Sequence, residues 1–248
     1  MTNKNQKIKE ALHARLELQV KHHSLTNFKD YILSKLDQVE KSTYSSDEWK
    51  KNDIEDLKYI INNSSLNQEI ESLRENRKIP ESKEFQQNIE NQLIQNFNKI
   101  AEEVHKSTEP YELNLLFLEF DQEREGVFYG FDDDNYKYQL LTGQEYMDFD
   151  PTKWLFEGLG SFDSSQLMVP VWNIEENIDV EIGHDFIEEY LNSIRELSLS
   201  NIFYGIHLCM ERIGHEFLQL NIPVKDEVFF FGNEHDCEQQ IIYNLIKN

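Results

Sequence analysis

Glycine is missing from the first 125 residues of this 248-residue chain, and all nine glycines fall from Gly126 onward. The first half thus lacks the residue that left-handed turns and bulges draw on, which favours helices joined by short polar connections. No run of about 18 apolar residues occurs, so no membrane span is expected. The opening MTNKNQKIKEALHARLELQV is charged and amphipathic instead of basic and then apolar, so no signal peptide is expected and a cytoplasmic location follows. Only two cysteines are present, Cys209 and Cys237, far apart in a chain without extracellular marks. Reduced thiols are therefore expected, not a disulfide framework.

Cations are the other shortage. Lys and Arg number 24 against 47 Asp and Glu, a formal net charge of −23. A field of that sign repels phosphate backbones, which argues against nucleic acid as a ligand, and favours cationic partners. The imbalance is uneven: residues 1–108 hold 17 basic and 18 acidic side chains, and residues 109–248 hold 7 and 29. What the chain does have is apolar mass, 39% hydrophobic with 3 Trp, 11 Tyr and 16 Phe, enough for a core.

Apolar residues recur every three or four positions through the first part. Ile8, Leu12, Leu16 and Val20 form one stripe, and Phe28, Ile32, Leu36 and Val39 resume it after a break near His22–Thr26. Ser46 and Asp47 can cap a second helix through Ile61, and Leu66, Ile70 and Leu73 suggest a short third. After Pro80, a stripe of Phe85, Ile89, Leu93, Phe97, Ile100 and Val104 predicts a helix from about Glu81 to His105. Beyond Pro110 the pattern becomes that of strands: 111–120, 126–131 and 136–141, with Asp132–Asn135 as a hairpin loop. An extended stretch at 166–172, a helix from His184 to Leu199, strands at 201–210 and 216–224 turning at Gly214, and a last helix at Cys237–Ile246 complete the expectation. The class is α+β: an N-terminal helical region over residues 1–80, then an acidic domain over 81–248 in which a mainly antiparallel sheet packs with helices.

Candidate chemistry centres on GFDDDNYKYQLLTGQEYMDFD, residues 130–150. As a calcium loop it fails, because alternate positions after Asp132 and Asp134 are Tyr136 and Tyr138, and Lys137 stands where the turn glycine belongs. Asp148 and Asp150 could join a magnesium site, and a solvated turn is the plainer alternative. The eight histidines match no metal-ligand spacing, and Gly158-Leu-Gly160 lacks the third glycine and the cation of a phosphate loop. No cofactor and no metal are expected. His207 and Cys209 would share one face of the expected strand. What remains is an acidic surface interleaved with aromatics, in which Asp132, Asp133, Asp134, Asp148 and Asp150 would supply field and acceptors and Tyr136, Tyr146 and Trp154 would be anchors. Core packing is the alternative role for such aromatics.

The order of the 89–105 helix, LNLLFLEFD, VFYGFDDD, DPTKWLFEG and then NIFYGIHLCMERIG with EFLQLNIPV resembles acidic immunity proteins of bacterial polymorphic-toxin systems, in particular their DUF4303-like members, over about residues 85–248. That resemblance implies a stoichiometric, non-enzymatic inhibitor of a basic toxin domain, for example a nuclease whose cationic cleft it covers. Rival readings are a metal-dependent hydrolase assembled from distant His and Asp residues, a DNA mimic that occupies a nucleic-acid-binding protein, and a scaffold whose charge serves solubility. The sequence does not fix the oligomeric state.

Overall fold

The computed structural model describes residues 3–25, 27–76, 82–107, 110, 112–120, 125–132, 154–163, 184–234 and 240–247. They form α1 (Asn3–Leu25), α2 (Phe28–Lys41), α3 (Asp47–Asn62), α4 (Ser64–Asn76), α5 (Lys83–Val104), β1 (Leu113–Phe120), β2 (Glu125–Phe131), β3 (Trp154–Asp163), α6 (His184–Gln219), β4 (Val224–Glu234) and β5 (Gln240–Ile246). The α+β class and its order, helices first and sheet after, are as expected from the sequence. Two compact units interleave along the chain: Met1–Arg15 with Pro80–Ser165 and Leu199–Asn248, and Leu16–Ile79 with Gln166–Ser198.

The second unit is helical. Asn27 caps α2 by accepting from the Asp30 N–H at 2.8 Å, and Ser46 caps α3 as its position before Asp47 suggested. Phe28, Ile32, Leu57, Ile60 and Ile70 are fully buried together with Leu191 and Ile194 of α6. Burying each such side chain stabilises by about 1.5–3 kcal/mol, enough to offset the marginal stability of isolated helices this short.

In the first unit the five strands lie in the order β3-β2-β1-β4-β5, antiparallel except for the β1–β4 pair. Alternation divides the sheet. Leu115, Phe117, Phe131, Phe229 and Phe231 cluster on one face, while Phe120 and Gly232 meet Phe203 of α6 on the other. A methyl group on Gly232 would stand 2.6 Å from the Phe203 ring, so the strand needs glycine where the helix crosses it. Gly205 plays the same part between helices, with Ile89 of α5 2.6 Å from its missing Cβ.

Three expectations are corrected. Residues 201–210 and 216–219 are not strands: they continue α6, a helix of 36 residues. From Leu199 to Cys209 every side chain but Leu208 is buried, so no polar face marks the helical period and the run imitates strands. Gly214 is helical, and the turn comes later, at Asn221 with φ 55° and Pro223 beyond it. The final segment is strand β5, not a helix. Its Ile and Tyr residues pair with β4, whose Phe229–Phe231 run has the aromatic composition that a strand favours. The 136–141 and 166–172 strands lie outside the described residues.

Candidate functional site

Of the eight expected contact residues, Asp133, Asp134, Tyr136, Tyr146, Asp148 and Asp150 lie outside the described residues. Trp154 opens β3 in register with Phe131. Asp132 follows β2 directly and is 7% exposed. Its carboxylate lies 2.5 Å from the Lys225 ammonium of β4 and accepts from the Glu112 N–H at 3.2 Å. The first aspartate of the triplet thus ties the ends of β1, β2 and β4 together, a structural role that a buried ion pair with a satisfied acceptor can sustain. Phe156 and Phe162 of the aromatic stretch are buried at 5% and 1%, which makes them core and not contacts.

Both outer strands of the sheet are closed by helix side chains. On β3, the Gln92 amide accepts from the Asp163 N–H at 2.6 Å and donates to its carbonyl at 3.2 Å, and Asn96 one turn on does the same for Ser161 at 3.1 and 2.9 Å. On β5, Asn5 of α1 treats Asn244 identically, at 2.9 Å both ways. An amide side chain offers the donor and acceptor of a peptide group, so these residues stand where a neighbouring strand would. Gly160, at φ 73°, is needed for this: a Cβ there would lie 2.2 Å from the Asn96 Oδ1. The Gly158-Leu-Gly160 triplet belongs to a twisted edge.

Beside Asn5 lies a buried polar cluster. His207 is 0% exposed, with Nδ1 2.7 Å from the Ile242 carbonyl and Nε2 3.4 Å from Glu211 Oε1. Lys9 of α1 holds Glu211 at 2.9 Å, and the Tyr243 ring stands edge-on to the imidazole at 5.2 Å. Burial lowers the His207 pKa, against the raising influence of its Ile242 bond and of Glu211. Cys209 points elsewhere, because residues two positions apart in a helix stand about 200° apart around its axis. Its thiol reaches the Gln86 carbonyl at 3.4 Å, and Arg212, paired with Glu90 at 2.8 Å, lies beside it. Burial pushes the thiol up to about 11. A buried, protonated cysteine is a poor nucleophile, so this pair does not form the Cys/His arrangement of covalent catalysis.

Charge is arranged differently from the sequence partition. Lys4 and Lys9 of the near-neutral first part bind Glu227 and Glu211 of the acidic part, and Lys35 binds Glu189. Glu112, Glu125, Glu157, Glu216 and Asp226 are exposed, on five separate segments of the first unit. A groove of about 330 Å³ is lined by Glu103, Lys106, Leu155, Phe156 and Glu157 among others, where α5 ends beside β3. Among the described residues, no three His, Cys, Asp or Glu side chains stand together as a metal site, and no helix is long and apolar enough to cross a membrane.

Sequence reading had no means of finding Asn5, Gln92 or Asn96. They lie in helices rich in Asn and Gln, and nothing local separates an amide that faces a strand edge from one that faces water. No protein-family model matches the chain, and no curated protein and no solved structure matches it.

Proposed function

We propose that this chain is a non-enzymatic binding protein, an immunity-type inhibitor acting in the cytoplasm, which neutralises a basic toxin or nuclease by covering its cationic cleft. The observation that supports the reading most is the fate of the cations in residues 109–248. There are seven, against 29 carboxylates. Two of the seven are committed locally, Lys225 to the buried Asp132 and Arg212 to Glu90. Exposed carboxylates on β2, β3, α6 and β4 and ahead of β1 then carry the surface field. Such a field speeds encounter with a basic protein and sets its orientation, while aromatic anchors supply the retained affinity. In this reading Asp133, Asp134, Asp148 and Asp150 with Tyr136, Tyr146 and Trp154 form the contact patch, and Asp132 positions it.

The test is capture from the native lysate at low salt, elution by salt, and identification of what is released. A basic protein retained by the natural chain, and lost when Asp133, Asp134, Asp148 and Asp150 are all changed to Asn, is the expected result. Retention that is indifferent to the four substitutions would contradict the reading.

A further inference from the structure

The amide closure of β3 covers one end of that strand. Gln92 and Asn96 meet Asp163 and Ser161, the next residue of their row on α5 is the buried Ile100, and the helix ends at Val104. Beside the other end of the strand, residues 155–159, lies the groove of about 330 Å³. The space around Gly158 is open as well: a Cβ built there would meet nothing within 4 Å.

The groove is apolar on one side and charged at its rim. Leu155 and Leu159, both half-buried, and the buried Phe156 form the wall. The charged residues are Glu103, Lys106 and Glu157. Lys106 is bound to Glu103 at 2.9 Å, which leaves Glu157, exposed and paired with no cation among the described residues, as the free charge. The last turn of α5 adds to it, because Glu102 and Glu103 stand there without a basic residue, at the negative end of the helix dipole. A long cationic side chain matches both features: its methylene stem lies on apolar surface while its head stays at the carboxylate.

We propose that this groove receives an arginine or lysine side chain of the basic partner. The proposal rests on the binding reading above and gives it a place among the described residues: the groove begins at Leu155, next to Trp154, the anchor of that reading which opens β3. A second copy of this chain is a poor occupant, because at −23 it brings like charge to the rim, and a phosphate-bearing ligand is disfavoured for the same reason.

The experiment titrates the full-length, nitrogen-15-labelled chain with N-acetyl-arginine amide, and with N-acetyl-norleucine amide as the uncharged control, and follows the backbone amides by NMR. The expected result is a set of arginine-specific shifts concentrated at 155–159 and at Glu103, Lys106 and Ser107, lost in Glu157→Gln. Shifts absent from the groove, equally large around Glu112, Glu125, Glu216 and Asp226, reproduced by the norleucine control or unchanged in Glu157→Gln overturn the proposal. With the captured basic partner, Glu157→Arg should weaken binding by about 10-fold or more, and Glu125→Arg, the same charge change on β2 outside the groove, by much less. Equal losses in the two would overturn the groove and leave the steering field in place. Capture indifferent to the four aspartate substitutions would instead overturn the binding reading, and the arginine-amide titration decides the chemistry of the groove either way.

Discussion

Asn96 holds Ser161 as a neighbouring strand would, taking its N–H at 3.1 Å and giving to its carbonyl at 2.9 Å, across a glycine that has no room for a Cβ. Gly160→Ala places a methyl 2.2 Å from the Asn96 Oδ1 at φ 73° and should cost about 3 kcal/mol, combining backbone strain with loss of the two bonds. Gly158→Ala shares the strain, at φ 60°, but its Cβ meets nothing within 4 Å, so about 1 kcal/mol is expected. Urea midpoints of the two variants check the order; equal losses would mean that Asn96 contributes nothing at this edge.

His207 gives stability a pH dependence. Its folded pKa lies below the ordinary 6.5, chiefly because burial disfavours the charged ring. The unfolded chain then takes up the proton first, so stability is full above about pH 6.5 and declines below it, by at most about 1.4 kcal/mol per pH unit for one proton. Urea unfolding between about pH 7 and pH 5 should show this slope, and His207→Gln, which can still donate to Ile242, should flatten it. An unchanged slope in the variant would assign the effect to other groups.

Part of this fold is legible in the sequence. The α5 stripe from Phe85 to Val104, the capping Ser46 and the short apolar, aromatic runs of β1 and β2 each carry a signal that local chemistry imposes, and all are present. The 201–210 run carries none, because a helix buried on nearly every side loses its polar face, and only packing against the sheet decides its form. Asp132 shows the same limit within the candidate site. A turn aspartate and a buried ion-pair aspartate look alike until Lys225, far along the chain, is brought to it.

Cys209 should be inert in the folded protein. A thiol pushed up to about 11 from 9.0 by burial has roughly 100-fold less thiolate at neutral pH than an exposed one. Peptide mapping after brief alkylation should find Cys209 unmodified in buffer and modified in urea; equal labelling in both would contradict its burial.

Asp132→Asn should destabilise the fold by about 1–3 kcal/mol, since it leaves the Lys225 ammonium, itself largely covered, without its counter-charge. Lys225→Met in the same chain should recover part of that loss, as measured by urea unfolding. No recovery would mean that the pair is not the cause.

The most direct test of the binding account is the association rate of the captured basic partner, followed by stopped flow between about 20 and about 500 mM salt. An acidic surface that steers a cationic cleft predicts a rate falling by about 10-fold or more over that range, with a much smaller change in the dissociation rate. An association rate independent of salt, in a chain of net charge −23, would contradict it.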